Sequence, residues 1–354
     1  MRLSDARIGY GGYSADFRHP GDRRRFAAYA AQKGIGVERA QLGRAYDLVL
    51  LTHNADLTGW THRKRAHGDF KFVFELVDSY FVQHVSRFPR LLKGTARRLM
   101  GMETRLSADF LKTLIAACEA ADAVICATPE QRAIIERYNP NVILSFDYFG
   151  GDLEPPKADY SRSGKLRLAW EGQSTTLFNV NVIQHVLNEL KEEVELHVVT
   201  DPEVYRHFGR FGRHPSTDVL GGIHCEKHFY PWEKESFSSH LKAADVAIIP
   251  IWPNHRMSNA KPENKLILLW QLGIPVLTSA TPAYVRTMAN AGLDMTCAGL
   301  DEWRAALRRM IHASPAELGG IAKTGQQHAA TAYSEAEFQA RFDAAFALVG
   351  FDPG

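Results

Sequence analysis

The sequence predicts an α/β protein built from two successive open parallel sheets, each covered by helices. Short apolar runs, many ending in Gly, Thr or Asp, alternate with helical patterns along most of the chain, and that alternation is the pattern of helix-covered parallel sheets. A polar stretch carrying two prolines, residues 150–164, interrupts the alternation, which then restarts. The chain has 354 residues, beyond the roughly 250–300 at which single hydrophobic cores stop growing. These observations predict a first domain over 1–152, a linker over 153–165, a second domain over 166–330 and a closing segment over 331–354.

In the first half, strands are expected at 6–10, 47–52, 70–77, 123–127 and 142–146. Helices are expected at 22–32, 108–121 and 129–138, the last capped by Thr128 with Pro129 at its first position. After the linker, strands are expected at 166–170, 194–200, 223–229, 246–251 and 275–279, with helices at 180–191, 234–244 and 262–272. Phe338, Phe342, Phe346 and Val349 recur at helical spacing. They predict a last helix over 334–349 that packs back on the first domain. Ligands of open α/β sheets bind outside the carboxyl ends of the strands, so the loops there carry the candidate chemistry.

Composition narrows the function classes. Hydrophobic residues at 45% and charged residues at 23% are ordinary globular values. Lys plus Arg minus Asp plus Glu is 42 − 40, or +2, too near balance for a nucleic-acid binder working by global charge. Cys118, Cys126, Cys225 and Cys297 are far apart and form no CxxC pair, which argues against a zinc knuckle or a disulfide framework. The first residues lack the apolar core of a secretory signal, and no apolar run nears the ~20 residues of a membrane span. A reducing cytoplasm is the expected setting.

The most informative stretch is 245–276. There a buried strand runs into a polar loop, then into a helix opening at Pro262, then through Gly273 into another buried strand. Free backbone N–H groups and the positive helix end make such a loop favourable for a phosphate. Lys261 and Lys265, four apart, can face the same side of the first turn. The dipole opposes two cations there, so an anion between them accounts for their placement better than helix stability does. The alternative reading is two solvated surface lysines and a helix start in which Glu263 complements the dipole.

This segment resembles the donor-site region of family-4-type GT-B glycosyltransferases, where a strand ending in Pro precedes a Lys-containing loop, a helix and "G-x-P-V". Trp232, after Phe229-Tyr230-Pro231 and ahead of Ala244-Asp245, is similar to another element of those enzymes. Residues 121–131 resemble the strand-to-helix unit late in their first domain, and residues 168–175 the first strand and turn of their donor domain. The resemblance covers nearly the whole chain. It implies a GT-B architecture, two Rossmann-like domains with an interdomain cleft, and transfer of a sugar from a nucleotide-diphosphate donor to an acceptor hydroxyl.

By position, Lys261 and Lys265 would neutralise the donor pyrophosphate. Gly172, Gln173, Ser174 and Thr175 would let backbone and hydroxyls approach it, and Tyr230 and Trp232 would lie near the base. Thr200, Glu263 and Asn264 complete the donor side. Gly172 can equally make a tight turn without a ligand, and Trp232 a structural corner. Many relatives place a Glu five residues before the Gly of "G-x-P-V"; here that position is Leu268, which puts donor identity and catalysis in question.

In the first domain, the expected 70–77 strand runs into Glu75 and Asp78, similar to an acidic segment of bacterial relatives. Either carboxylate could orient or deprotonate an acceptor hydroxyl, and Asp78 could instead cap the helix that follows. His53, at the end of the 47–52 strand, and Gly11 and Gly12, after the first strand, are further acceptor-side candidates. Arg87, Arg90, Lys93, Arg97, Arg98 and Arg105 lie among apolar residues, a basic amphipathic pattern that suits anionic lipid and a lipid-linked acceptor, or else a solvated helix face. No DxD pair falls at a credible strand end, so no metal is expected at the diphosphate and no cofactor beyond the nucleotide sugar. Retention of configuration and a role in bacterial surface or capsular glycan assembly are what the resemblance implies. A nucleotide-sugar epimerase of the same fold and a catalytically silent nucleotide- or sugar-binding protein are the alternatives.

Overall fold

The computed structural model describes residues 1–82, 96–97, 101–105, 109–150, 153–205, 212–253 and 255–354. The chain divides into two compact units. The first holds Met1–Tyr148, Ala260–Pro262 and Ser334–Gly354; the second holds Phe149–Asn259 and Glu263–Tyr333.

The first unit is built on a parallel sheet with strands β1 (Ile8–Gly11), β2 (Val37–Arg39), β3 (Leu48–Thr52), β4 (Lys71–Leu76), β5 (Ala123–Cys126) and β6 (Val142–Leu144). Their order is β2-β1-β3-β4-β5-β6. Strands β3 and β5 are buried along their whole length, as a parallel sheet covered on both faces requires, and so read as unbroken apolar runs rather than alternating ones. Around the sheet lie α1 (Pro20–Arg23), α2 (Phe26–Gln32), α3 (Leu57–His67), α4 (Phe110–Ala120) and α5 (Pro129–Ile135). The Thr128 hydroxyl accepts from the Gln131 amide and Pro129 occupies the first turn, so α5 starts where its cap dictates.

The second unit repeats the design with β7 (Leu166–Glu171), β8 (Val194–Thr200), β11 (Glu226–Pro231), β12 (Val246–Ile249), β13 (Val276–Ser279) and β14 (Thr296–Cys297), ordered β11-β8-β7-β12-β13-β14 and parallel throughout. A short antiparallel pair, β9 (Glu203–Tyr205) and β10 (Arg213–Pro215), stands apart. Its helices are α6 (Gln184–Glu189), α7 (Phe237–Lys242), α8 (Arg256–Asn259), α9 (Asn264–Gln271), α10 (Pro282–Asn290), α11 (Leu300–His312) and α12 (Pro315–Ala332). Gly273, in the left-handed region at φ +71°, ends α9. Its amide donates to the Trp270 carbonyl and that of Ile274 to Leu269. The segment before β7 packs along this corner, with the Lys157 amide on the Leu272 carbonyl and the Tyr160 hydroxyl on that of Gly273.

Helix α13 (Glu335–Leu348) returns to the first unit. Ser334 caps it, and Phe338, Phe342 and Phe346 are fully buried against Phe26, Tyr29, Phe146 and Tyr148. The four cysteines are buried, Cys118 and Cys126 in the first unit, Cys225 and Cys297 in the second.

Several elements differ from the sequence expectation. Of the helix expected over 180–191, residues 184–189 form α6, while its first residues belong to a 3-10 stretch, Ser174–Ile183. Asn179 and Asn181 in that stretch spend their side-chain amides on the Thr176 and Val219 carbonyls, an alternative to regular helix that Asn readily takes. The strand expected at 223–229 is shifted to Glu226–Pro231, because Ile223 closes a turn onto Leu220 before pairing with β8 begins. Strands β2, β9, β10 and β14 and helices α3, α8, α10, α11 and α12 were not foreseen.

Candidate functional site

In the second unit, the carboxyl ends of β7 and β8 and the first turn of α9 come together. Gly172 follows β7 at φ +155°, a conformation that side-chain-bearing residues rarely adopt. A Cβ there would stand 2.5 Å from the Lys265 ammonium and 3.1 Å from the Trp170 ring. Lys265 donates to the Glu171 carbonyl and lies 4.6 Å from the Trp170 ring centroid, a cation–π distance. The lysine is thus held against the turn by the absence of a side chain at 172. Both approach the positive end of an eight-residue helix.

The neighbouring groups are arranged by the same strand ends. The Thr200 hydroxyl donates to the Gly172 carbonyl at 2.7 Å, and the Ser174 amide donates to Asp201 at 3.2 Å. The Ser174 hydroxyl donates to the Glu203 carbonyl, so it is engaged within the protein, whereas Gln173 and Thr175 are exposed. Trp232 donates its amide to the Thr200 carbonyl and stacks on Phe237 at 5.3 Å, which gives its ring a packing partner in the core. Tyr230 stacks on His240 at 4.2 Å, and its hydroxyl lies 3.2 Å from Nδ1 of His197.

Glu263 accepts a 2.6 Å bond from the Tyr333 hydroxyl, and its other oxygen is buried without a hydrogen-bond partner among the described residues. Asn264 opens α9, half-buried. Lys261 belongs with Ala260 and Pro262 to the first unit, where the Ser79 hydroxyl donates to the Ala260 carbonyl. Leu268 is buried in the core of the second unit, so its position offers no polar group to a ligand.

In the first unit, the residues after β1, β3 and β4 form an aromatic cluster. His53 lies 4.0 Å from the Tyr80 ring and 5.2 Å from that of Tyr13. The Tyr80 hydroxyl pairs with the Asp78 carboxylate and the Tyr13 hydroxyl. Burial pushes the Tyr13 and Tyr80 phenols well up, which keeps both neutral as hydrogen-bonding groups. Asp78 therefore stands half-buried at the end of β4 with a phenol fixing its carboxylate. Its backbone carbonyl accepts from Gln131, which ties the segment to α5.

Three expectations in this unit are corrected. Glu75 is fully buried and accepts a 2.6 Å bond from Nε of Arg25, whose Nη1 reaches Asp147 at 3.3 Å. Its carboxylate serves that buried ion network and does not face an acceptor, because β4 is covered on both faces where Glu75 lies. Gly11 and Gly12 have no room to spare. A Cβ at Gly11 would meet Leu51 and Ala55 within 2.8 Å, and one at Gly12 would meet Asp22 at 2.5 Å. The Asp22 carboxylate already takes the Tyr10 hydroxyl and the Tyr13 and Ser14 amides, so this turn is closed by the protein's own groups. Arg97 is no surface cation: its guanidinium is buried on Glu103 and the Ala55 carbonyl. Arg105 is exposed, and Arg87, Arg90, Lys93 and Arg98 lie outside the described residues. No described helix is long and apolar enough to cross a membrane.

Two helix-covered parallel sheets of six strands, with the last helix returned to the first unit, make the GT-B fold. The chain is similar to HepE from Anabaena, solved in complex with UDP-glucose, at TM-score 0.62 and 12% identity over 97% of this chain and 99% of that one. It is also similar to WaaG, a glycosyltransferase involved in lipopolysaccharide biosynthesis, at TM-score 0.57 and 15% identity over 97% and 100% of the two chains. A sucrose-phosphate synthase from Thermosynechococcus elongatus matches at TM-score 0.58 and 16% identity, over 90% of this chain and 74% of that one. At such identities the likeness establishes the fold. No family model and no curated protein matches the sequence.

The sequence expectation missed three features of these sites. Trp170 and Asp201 sit beside the Gly172 turn, and Tyr13 beside Asp78. Trp170 reads as a strand core residue and Tyr13 as a loop aromatic, so nothing in the local pattern marks either one.

Proposed function

We propose that this chain is a glycosyltransferase that moves a sugar from a nucleotide-diphosphate donor to an acceptor hydroxyl. The observation that carries the reading is the placement of the Lys265 ammonium against a glycine held at φ +155°, at the strand ends of the second unit and the N-terminus of α9. Negative charge builds on the departing diphosphate in the transition state, and a cation and backbone amides already aimed at it lower the barrier without reorganisation. Lys265 supplies that charge in place of a divalent ion. Thr175 and Gln173 offer the exposed polar groups of the turn, and Asp78 orients the acceptor hydroxyl as general base. HepE binds UDP-glucose, which makes UDP-sugars the first donors to try. Retention of configuration and an acceptor in bacterial surface glycan assembly, lipid-linked or not, belong to this proposal.

Calorimetric titration with UDP, GDP and ADP tests the donor site. One of them is expected to bind saturably, and Lys265→Ala to weaken it by about 1.5–3 kcal/mol, the range for hydrogen bonds to a charged group. An unchanged dissociation constant removes Lys265 from the site. Buried Leu268 favours a second reading, a nucleotide-sugar binder without turnover. That protein would bind the same nucleotide and release none from its sugar with any acceptor; a new sugar isomer formed without acceptor would indicate an epimerase.

A further inference from the structure

The edge of the second sheet carries a cluster that the donor site does not use. Glu195 and His197 alternate along β8 and so project from one face, and the parallel register sets His228 of β11 opposite His197 and Glu226 opposite Glu195. Like faces like across both rungs. The His197 and His228 rings stack at 4.7 Å, while two carboxylates share the adjacent rung, a pairing that is destabilising unless something positive offsets it. Lys165 offsets part of it from the Glu226 side at 3.3 Å. On its other side Glu195 has Arg167 of β7 as its ladder partner, whose guanidinium is engaged by Asp245 at 3.3 Å, and the Glu195 carboxylate itself meets Nε2 of His197 at 2.9 Å.

We propose that Glu195, His197 and His228 form a binding site for a borderline divalent metal ion of the Zn2+ class on the β8–β11 edge, separate from the nucleotide site. One ligand atom from each of the three lies within 4.8 Å of the other two. Two imidazoles and a carboxylate are the donor set such an ion takes, with a fourth position left to water. Metal–ligand bonds of about 2.0–2.1 Å in tetrahedral geometry put ligand atoms roughly 3.3 Å apart. The Glu195–His197 spacing, 2.9 Å, is already close to that value, and the proposed site requires a side-chain rotation of His228 to complete the set.

The surroundings suit the role. His197 has its other ring nitrogen, Nδ1, 3.2 Å from the Tyr230 hydroxyl, the outer-shell hydrogen bond that fixes a ligating imidazole. Glu226 stands 3.2 Å from Nε2 of His228 as an adjoining carboxylate. The His197 side chain is 11% exposed and that of His228 38%, so an ion can enter from the surface and still be partly desolvated. Strand pairing fixes the backbone on both sides. The ion would cross-link the edge strand β11 to β8.

The full chain, stripped with a chelator, is dialysed against Zn2+, and separately titrated with Co2+ while its ligand-field absorption is followed. One ion per chain is expected, with a tetrahedral-type Co2+ spectrum and a raised melting temperature. His228→Gln, at a partly exposed position that tolerates the change, is expected to weaken binding at least about 100-fold, more than the roughly 10–100-fold of a lost outer-shell partner. His197→Gln should do the same, while His312→Gln, elsewhere in the unit, should leave binding unchanged and so separate this site from general histidine binding. Binding well below one ion per chain, or full retention in both His197→Gln and His228→Gln with native circular dichroism, overturns the proposal.

Discussion

Gly172 shows how one missing side chain shapes a site. Its backbone conformation is strained for any other residue, and the space beside it is taken by the Lys265 ammonium. Gly172→Ala is therefore expected to cost about 1–3 kcal/mol of stability from strain alone and to displace Lys265, lowering nucleotide affinity as well; denaturant unfolding and titration on the same variant read the two losses. The glycine and the lysine were both legible in the sequence as candidates. Their contact, across more than ninety positions of chain, was not, because no local pattern encodes a tertiary distance.

The buried Arg25, Glu75 and Asp147 make a second residue-scale argument. Burial raises the Glu75 and Asp147 carboxyls, with Arg25 pulling both back down, and two carboxylates share one guanidinium. A carboxyl raised in the folded state binds its proton more tightly there than in the unfolded chain. Stability from that group therefore falls as pH climbs from its ordinary value near 3.8 through the raised one. Asp147→Asn removes one such carboxyl while retaining an acceptor for Arg25. Denaturation at several pH values is expected to show the variant gaining on the wild type as pH rises; a constant difference would mean that Asp147 is not raised. The sequence showed Glu75 near a strand end and suggested exposure. Residues 72–76 of β4 are all buried, so alternation does not mark Glu75 out, and its partner Arg25 lies fifty positions away, which no local pattern shows.

Among the elements, α13 rests on three phenylalanines four apart, and these were readable in advance because large aromatics recurring at i, i+4 and i+8 mark one helix face. Phe342 stacks on Tyr29 at 5.1 Å and meets Phe338 edge-on at 5.1 Å. Phe342→Ala should cost about 3–5 kcal/mol, the range for emptying a buried aromatic site, measured by equilibrium denaturation. Central strands β3, β5, β8 and β12 were legible as apolar runs. The edge strands β2 and β14 are three and two residues long and carry no such run, while α3, with only four buried residues, has too faint an apolar stripe to announce itself. The start of the helix expected at 180 lies in a 3-10 stretch instead, where Asn179 bonds locally to Thr176 and Asn181 to the distant Val219 carbonyl.

For the whole molecule, the two units have separate cores, one around β3–β5 and one around β7, β8, β12 and α9. Ligand binding stabilises only what it binds, by mass action. A nucleoside diphosphate held at the Gly172 turn is expected to slow amide exchange in β7, β8 and α9 and to leave β3 and β5 unchanged; protection confined to the first unit would contradict the donor assignment.

The distribution of the thiols gives that measurement a chemical counterpart. Burial pushes Cys126 and Cys297 up to about 12 and raises Cys118 and Cys225 as well, so all four sulfurs are both shielded and protonated at neutral pH. An alkylating reagent can trap them only when the surrounding core opens. With two reporters in each half, mass spectrometry of trapped peptides would time the opening of one core against the other without introducing any foreign label.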